Sequence, residues 1–164
     1  MQRAAILALI TLATAANAQI GETKAELVHR YGPAMPWERM LTSEYGDLVD
    51  DACRFEHDGL KTLASFKRGK AVLLIYQKLD KSAMRKKGVL SVLARAVHKP
   101  DWVLISGDSP NSCWRTGDSA VFAYYFPEPE FDGAPARLMR VQTAQLDRIY
   151  RKIRGEKPYE PSKA

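Results

Sequence analysis

The spacing of apolar residues changes period several times along the chain and so divides it into elements. Leu27 and Tyr31 stand four apart with Val28 beside them, which is the spacing of one helix face. Thr23 and Glu26 supply a capping box at the start of that helix, and Gly32-Pro33 a left-handed stop. From Cys53 the period becomes two. Cys53 to His57, Leu60 to Lys67 and Ala71 to Lys78 read as strands, separated by the turn pairs Asp58-Gly59 and Arg68-Gly69. They form a meander. Ser82 to His98 reads as a second helix with Val89, Val92, Ala96 and Val97 inward, ended by Pro100. Trp102 to Ser106, Ser119 to Phe126 and Ala136 to Thr143 read as further strands. A short basic helix from Thr143 to Arg154 follows, with Leu146, Ile149, Tyr150 and Ile153 at helical spacing. Residues 38–51 fit either a short helix or an irregular stretch.

This order predicts an α+β fold: an antiparallel meander sheet of about six strands with helices packed on one face. The succession of helix, cysteine with an aromatic, glycine turn and two strands occurs twice. Two helix-plus-three-strand halves, 19–80 and 81–154, would produce it, and so would an ordinary α+β chain. Residues 155–164 read as a frayed tail.

The first eighteen residues follow a different grammar. Arg3 precedes an apolar run from Ala4 to Ala16, and Ala16-Asn17-Ala18 has the small-x-small form of a cleavage site. The run is shorter than the roughly 20 residues a membrane span needs. It predicts a signal peptide at 1–18 cleaved after Ala18, and export to the periplasm or medium. No cysteine follows the site to accept a lipid, and no later segment reads as transmembrane. The 164-residue chain is 46% hydrophobic, which excludes a disordered tail.

Export changes the reading of Cys53 and Cys113. In an oxidising compartment a lone pair of cysteines in a folded domain tends to join, and closing a loop of about 60 residues would stabilise by roughly 4 kcal/mol. The alternatives are two buried free thiols or one reactive thiol. His57 follows Cys53 by four residues, about 13 Å along a strand, too far to activate it.

Gly21-Glu-Thr23-Lys-Ala-Glu26-Leu27-Val28, followed by Tyr31-Gly32-Pro33, resembles the opening of small exported bacterial domains. These are the SmpA/OmlA-like assembly lipoproteins and the β-lactamase-inhibitor-protein-like domains. The resemblance implies helices packed on a three-stranded meander and a bias toward protein binding. The lipidated cysteine of the assembly lipoproteins is missing, so their anchoring does not carry over, and no inhibitory loop can be matched.

Catalytic grammar is thin. His29, His57 and His98 show no metal-binding spacing, and there is no nucleophile elbow, phosphate loop or zinc helix. No cofactor and no metal site are expected. Glu44, Asp47, Asp50 and Asp51 form an acidic cluster that fits a solvated helix face as well as calcium, and the EF-hand alternation is missing.

The formal net charge is +6, and the cations cluster. Lys78, Lys81, Arg85, Lys86 and Lys87 surround the predicted start of the second helix, where they oppose the helix dipole. Lys81, Arg85, Lys86 and Lys87 are the candidate binding residues. An anion would be welcome there, and a solvated turn is the plain alternative. Export separates the chain from nucleic acid. The sequence therefore reads as an exported non-catalytic binding module for an envelope protein or an anionic glycan or lipid headgroup. The alternative is a small exported hydrolase assembled from residues such as His57, Asp58 and a loop serine.

Overall fold

The computed structural model describes residues 19–37, 48–106, 112–127 and 137–157. The predicted signal peptide, the carboxylates Glu44 and Asp47, and most of the predicted tail lie outside them. Within them the chain forms helix α1 (Lys24–Tyr31), strands β1 (Met35–Pro36), β2 (Asp51–His57), β3 (Leu60–Lys67) and β4 (Lys70–Lys78), and helix α2 (Lys86–Leu93). Strands β5 (Val103–Ser106), β6 (Ser112–Arg115), β7 (Val121–Phe126) and β8 (Leu138–Thr143) and helix α3 (Ala144–Ile153) complete it.

All eight strands join one sheet in the order β1-β2-β3-β4-β8-β7-β6-β5, and every neighbouring pair is antiparallel. This corrects the expected fold. The described residues are mostly sheet with three short helices, rather than about six strands with helices packed on one face. The six predicted strands correspond to β2, β3, β4, β5, β7 and β8. The two that were missed carry almost no periodic signal: β1 is a Met-Pro dipeptide at the sheet edge, and β6 is the mixed quartet Ser-Cys-Trp-Arg.

The helices do not share one face either. Leu27 of α1 and Val89, Val92 and Leu93 of α2 pack with Phe55, Ala64, Phe66, Leu74, Tyr76, Ala123, Tyr125, Met139 and Val141. On the other face, Leu146 of α3 packs with Val49 and Leu73, bordered by Ile75 and Tyr150. The physical reason lies in β4 and β7. Successive residues of a strand point to opposite faces, and Ala71-Val-Leu-Leu-Ile-Tyr and Val121-Phe-Ala-Tyr-Tyr-Phe are apolar or aromatic at both parities. Helices on one face alone would leave Leu73, Ile75, Phe122 and Tyr124 wet.

Local grammar holds where it was strongest. Thr23 Oγ1 accepts from Glu26 N at 3.2 Å while Glu26 Oε2 accepts from Thr23 N at 2.6 Å, which completes the capping box. Asp58 and Gly59 (φ 50° and 74°), and Arg68 and Gly69 (φ 49° and 75°), take the left-handed angles of two-residue hairpin turns. The second helix is shorter than its apolar pattern. Arg85 is extended at its N-cap, and the Trp102 indole donates to the Leu93 carbonyl at 2.7 Å, taking up a carbonyl at its C-terminal end.

Candidate functional site

A groove of about 750 Å³ opens where the β2–β3 turn faces α2. Its walls include Asp58, Gly59 and Leu60 from the turn, Lys78 at the end of β4, and Ser82, Arg85, Lys87, Gly88, Ser91 and Arg95 from the α2 side. Four cations thus face one carboxylate, and Asp58 is already paired with His57 Nε2 at 3.3 Å.

The approach to α2 shapes this groove. Asp80 Oδ1 accepts from Ser82 N at 2.9 Å and Ser82 Oγ at 2.8 Å, and its Oδ2 takes Lys78 Nζ at 3.1 Å. Lys78 Nζ also bonds Ser82 Oγ. The Ser82 backbone and hydroxyl, with Lys78, hold the Asp80 carboxyl down at about 2, well below the usual carboxylate range. Arg85 is extended at the α2 N-cap, and the first α2 amides have no side-chain cap from it.

Of the candidate binding residues, Arg85 and Lys87 line the groove. Lys81 and Lys86 are exposed beside it without lining it: Lys81 sits in the preceding turn with φ 57°, and Lys86 is the first residue of α2. Two lining cations fall outside the expected set. Lys78 was visible in the cluster, whereas Arg95 stands apart from it in sequence and joins the groove by helical spacing, four residues after Ser91 and seven after Gly88. Arg85, Lys87 and Arg95 make no ion pair among the described residues.

The other expectations fare differently. Cys53 and Cys113 are free and buried. Cys53 lies on β2 on the α1/α2 face, packed with Phe55. Cys113 lies opposite Tyr124 on β6 and points to the α3 face. Five strand spacings, about 24 Å, separate the two strands across the sheet, so the structure does not bring the thiols together. Burial pushes both up to about 11, away from the range of a reactive thiol. His57 makes an edge contact with Tyr31, ring centroids 5.5 Å apart, and its Nε2 faces the Asp58 carboxylate rather than a serine. Of the groove serines, Ser82 is committed to Asp80 and Lys78. Asp50 accepts from Lys67 Nζ at 2.8 Å and Arg68 N at 2.6 Å, and Asp51 from Lys24 Nζ at 2.8 Å, so these carboxylates are matched by protein cations. No group of three or more metal-ligating side chains occurs among the described residues.

A second polar cluster lies on the α3 face, around Tyr124, Gln142, Asp147 and Arg151. Its hydrogen bonds run between sheet and helix, and it fastens α3 to the sheet.

No family model matches the chain, and no curated protein matches it. Among solved structures it is similar to a cysteine-rich secretory protein from Staphylococcus aureus subsp. aureus Mu50, with a TM-score of 0.36 and 10% identity. That likeness covers 86% of this chain and 62% of the other, so the chain spans less than two thirds of that protein's length. A likeness of this size carries neither fold nor function across. No helix among the described residues is long and apolar enough to cross a membrane.

Proposed function

We propose that the chain is an exported binding module, without catalytic chemistry of its own, whose basic groove receives an anionic envelope component. The observation that carries this reading is the convergence of Lys78, Arg85, Lys87 and Arg95 on one groove of about 750 Å³, with Asp58 the single lining carboxylate. Like charges gathered on one concave wall repel each other, so such an arrangement costs the free protein stability and gains it back when a polyanion enters. The first turn of α2 adds unpaired amides of the same electrostatic sign. The opening from Gly21 to Pro33, which resembles exported binding domains, leans the same way. The groups recognised are phosphates, sulfates or carboxylates displayed several at a time, as on a lipid headgroup array or an acidic glycan.

The test separates groove from bulk charge. Arg85→Glu/Lys87→Glu and Lys81→Glu/Lys86→Glu change net charge equally, but only the first pair lines the groove. Binding is followed on heparin, and on vesicles of phosphatidylglycerol against phosphatidylcholine. The groove variant should lose retention about tenfold more than the rim variant. Equal losses, or none, overturn the groove reading, and capture of an acidic protein in place of both probes reassigns the partner to a protein.

A further inference from the structure

We infer that cleavage after Ala18 creates a new α-ammonium on Gln19, and that Glu22 is built to receive it. Gln19 N already donates to Glu22 Oε2 at 2.9 Å. Glu22 is 5% exposed, and its other oxygen is ion-paired with Arg30 Nη2 of α1. A carboxylate so far out of water needs its partners, and each oxygen has one.

The segment is held in place from Gln19 onward. Ile20 N donates to the Ala96 carbonyl at 3.0 Å, Gly21 N to the Ala71 carbonyl at 2.8 Å, and Ala71 N returns to the Glu22 carbonyl at 2.7 Å. These bonds tie the residues after the cleavage motif to the start of β4 and to the turn after α2, so the position of Gln19 N relative to Glu22 is set by the fold. A second observation points the same way: Gln19 Oε1 is buried without a hydrogen-bond partner. An amide N–H has one proton to give, whereas an ammonium has three, enough for Glu22 and for a further acceptor. Arg30 on α1 is the ion-pair partner of Glu22, and the Tyr31 and Tyr76 phenols of α1 and β4 feel both Glu22 and Arg95. Processing replaces a neutral donor by a charged one and so turns a charge-assisted hydrogen bond into an ion pair.

Capture also has a chemical consequence. An N-terminal glutamine cyclises when its neutral amine nitrogen bonds to its own side-chain Cδ and the carboxamide C–N bond breaks, releasing ammonia. The step needs the nitrogen lone pair, so an amine held protonated by Glu22 cyclises slowly.

This inference rests on the export half of the proposed function and is independent of the groove. The full chain is exported through its own leader, its N-terminal residue is identified by mass spectrometry, and its α-amine is titrated by reductive methylation followed by NMR. The expected results are an uncyclised Gln19 terminus and an α-amine about one unit above the ordinary 7.7–8.0. Glu22→Gln should return the amine to that range and speed cyclisation. Titration of the wild-type chain in urea, where the amine should fall to the ordinary value, gives the same comparison without a variant. A terminus other than Gln19 overturns this inference together with the predicted processing. A Gln19 terminus with an ordinary amine, or a Glu22→Gln protein indistinguishable from wild type, overturns the capture alone.

Discussion

Asp147 and Arg151 stand one helical turn apart on α3, and their ion pair, Arg151 Nε to Asp147 Oδ2 at 3.0 Å, is closed over by the sheet. The Asp147 side chain is 4% exposed and that of Arg151 19%. The remaining polar positions are filled from β7 and β8: Tyr124 OH and Gln142 Nε2 both donate to Asp147 Oδ1, and Arg151 Nη2 donates to Tyr124 OH at 3.0 Å. Burial and the Asp147 hydrogen bond push the Tyr124 phenol far above its ordinary range. Arg140, next to it on the sheet, lies over the rings of Tyr150, Tyr124 and Phe126 at 4.2, 4.9 and 5.1 Å. Helix α3 is therefore seated by an oriented polar network as well as by Leu146.

Removing Asp147 leaves Tyr124 and Gln142 without their acceptor, while Arg151, partly exposed, keeps Glu156 as an ion-pair partner at 3.6 Å. Asp147→Ala should therefore cost about 2–3 kcal/mol, below the roughly 3–5 kcal/mol for breaking a fully buried pair. Tyr124→Phe removes one neutral donor and should cost about 1–2 kcal/mol. Urea unfolding of both variants checks the order. Equal losses would mean that the carboxylate is satisfied in another way.

The two cysteines allow a sharp chemical test. Cys53 and Cys113, lodged on opposite faces of the sheet, should resist a thiol reagent in the native protein and both react in denaturant. Adding reductant should leave the melting temperature unchanged. Burial raises both folded thiols to about 11 from an ordinary 9.0. The unfolded chain therefore gives up these protons first, and this contribution to stability is intact below pH 9 and is lost as pH rises from about 9 to about 11. Urea midpoints at pH 8, 9.5 and 10.5 check the direction.

The capping box, both two-residue turns and the strands β2, β3 and β4 were legible because each rests on short-range chemistry: a side chain reaching three residues, a glycine at positive φ, an alternation. Strands β1 and β6 were not, since a Met-Pro pair and Ser-Cys-Trp-Arg become strands only because a partner edge is there to receive them. The second face is written in Leu73-Leu74-Ile75 and Phe122-Ala123-Tyr124, apolar at both parities, but that pattern does not say which element covers each side. At the groove, Arg85 and Lys87 were legible as local charge. Arg95 was not, because it lies outside the local run of cations and reaches the groove only through the helical spacing it shares with Gly88 and Ser91. The placement of the cysteines was illegible for a related reason: compartment argues that cysteines pair, whereas strand order decides whether they meet, and here it sets Cys53 and Cys113 apart.

The capping box carries a measurable part of α1. Thr23→Ala removes the acceptor for Glu26 N and one of the donors to Glu26 Oε2, and should cost about 1 kcal/mol. Thr23→Ser keeps both bonds and should cost only a few tenths. Thermal melts of the pair check this, and equal losses would assign the effect to the lost methyl group instead.

The last prediction concerns the brace under the groove. The Asp80 carboxyl, held by Ser82 and Lys78, sits at about 2 in the folded chain against an ordinary 3.8. A carboxyl depressed by folding supports the native state above its unfolded value, and that support is lost as pH falls from about 4 toward about 2. Asp80 is exposed, so the loss should be local, with the sheet intact. NMR of the Asp80 carboxyl should follow a midpoint near 2, and the Ser82 amide should shift with it. Asp80→Asn keeps an acceptor but drops the charge, so Lys78 should turn freely and the groove should hold its anionic probe more tightly, because one competing carboxylate is gone. Asp80→Ala removes the acceptor as well, releases the Ser82 backbone and should weaken the same probe. Opposite signs for the two variants would separate the charge of Asp80 from its geometry. The same sign in both would mean that the brace does not set the shape of the groove.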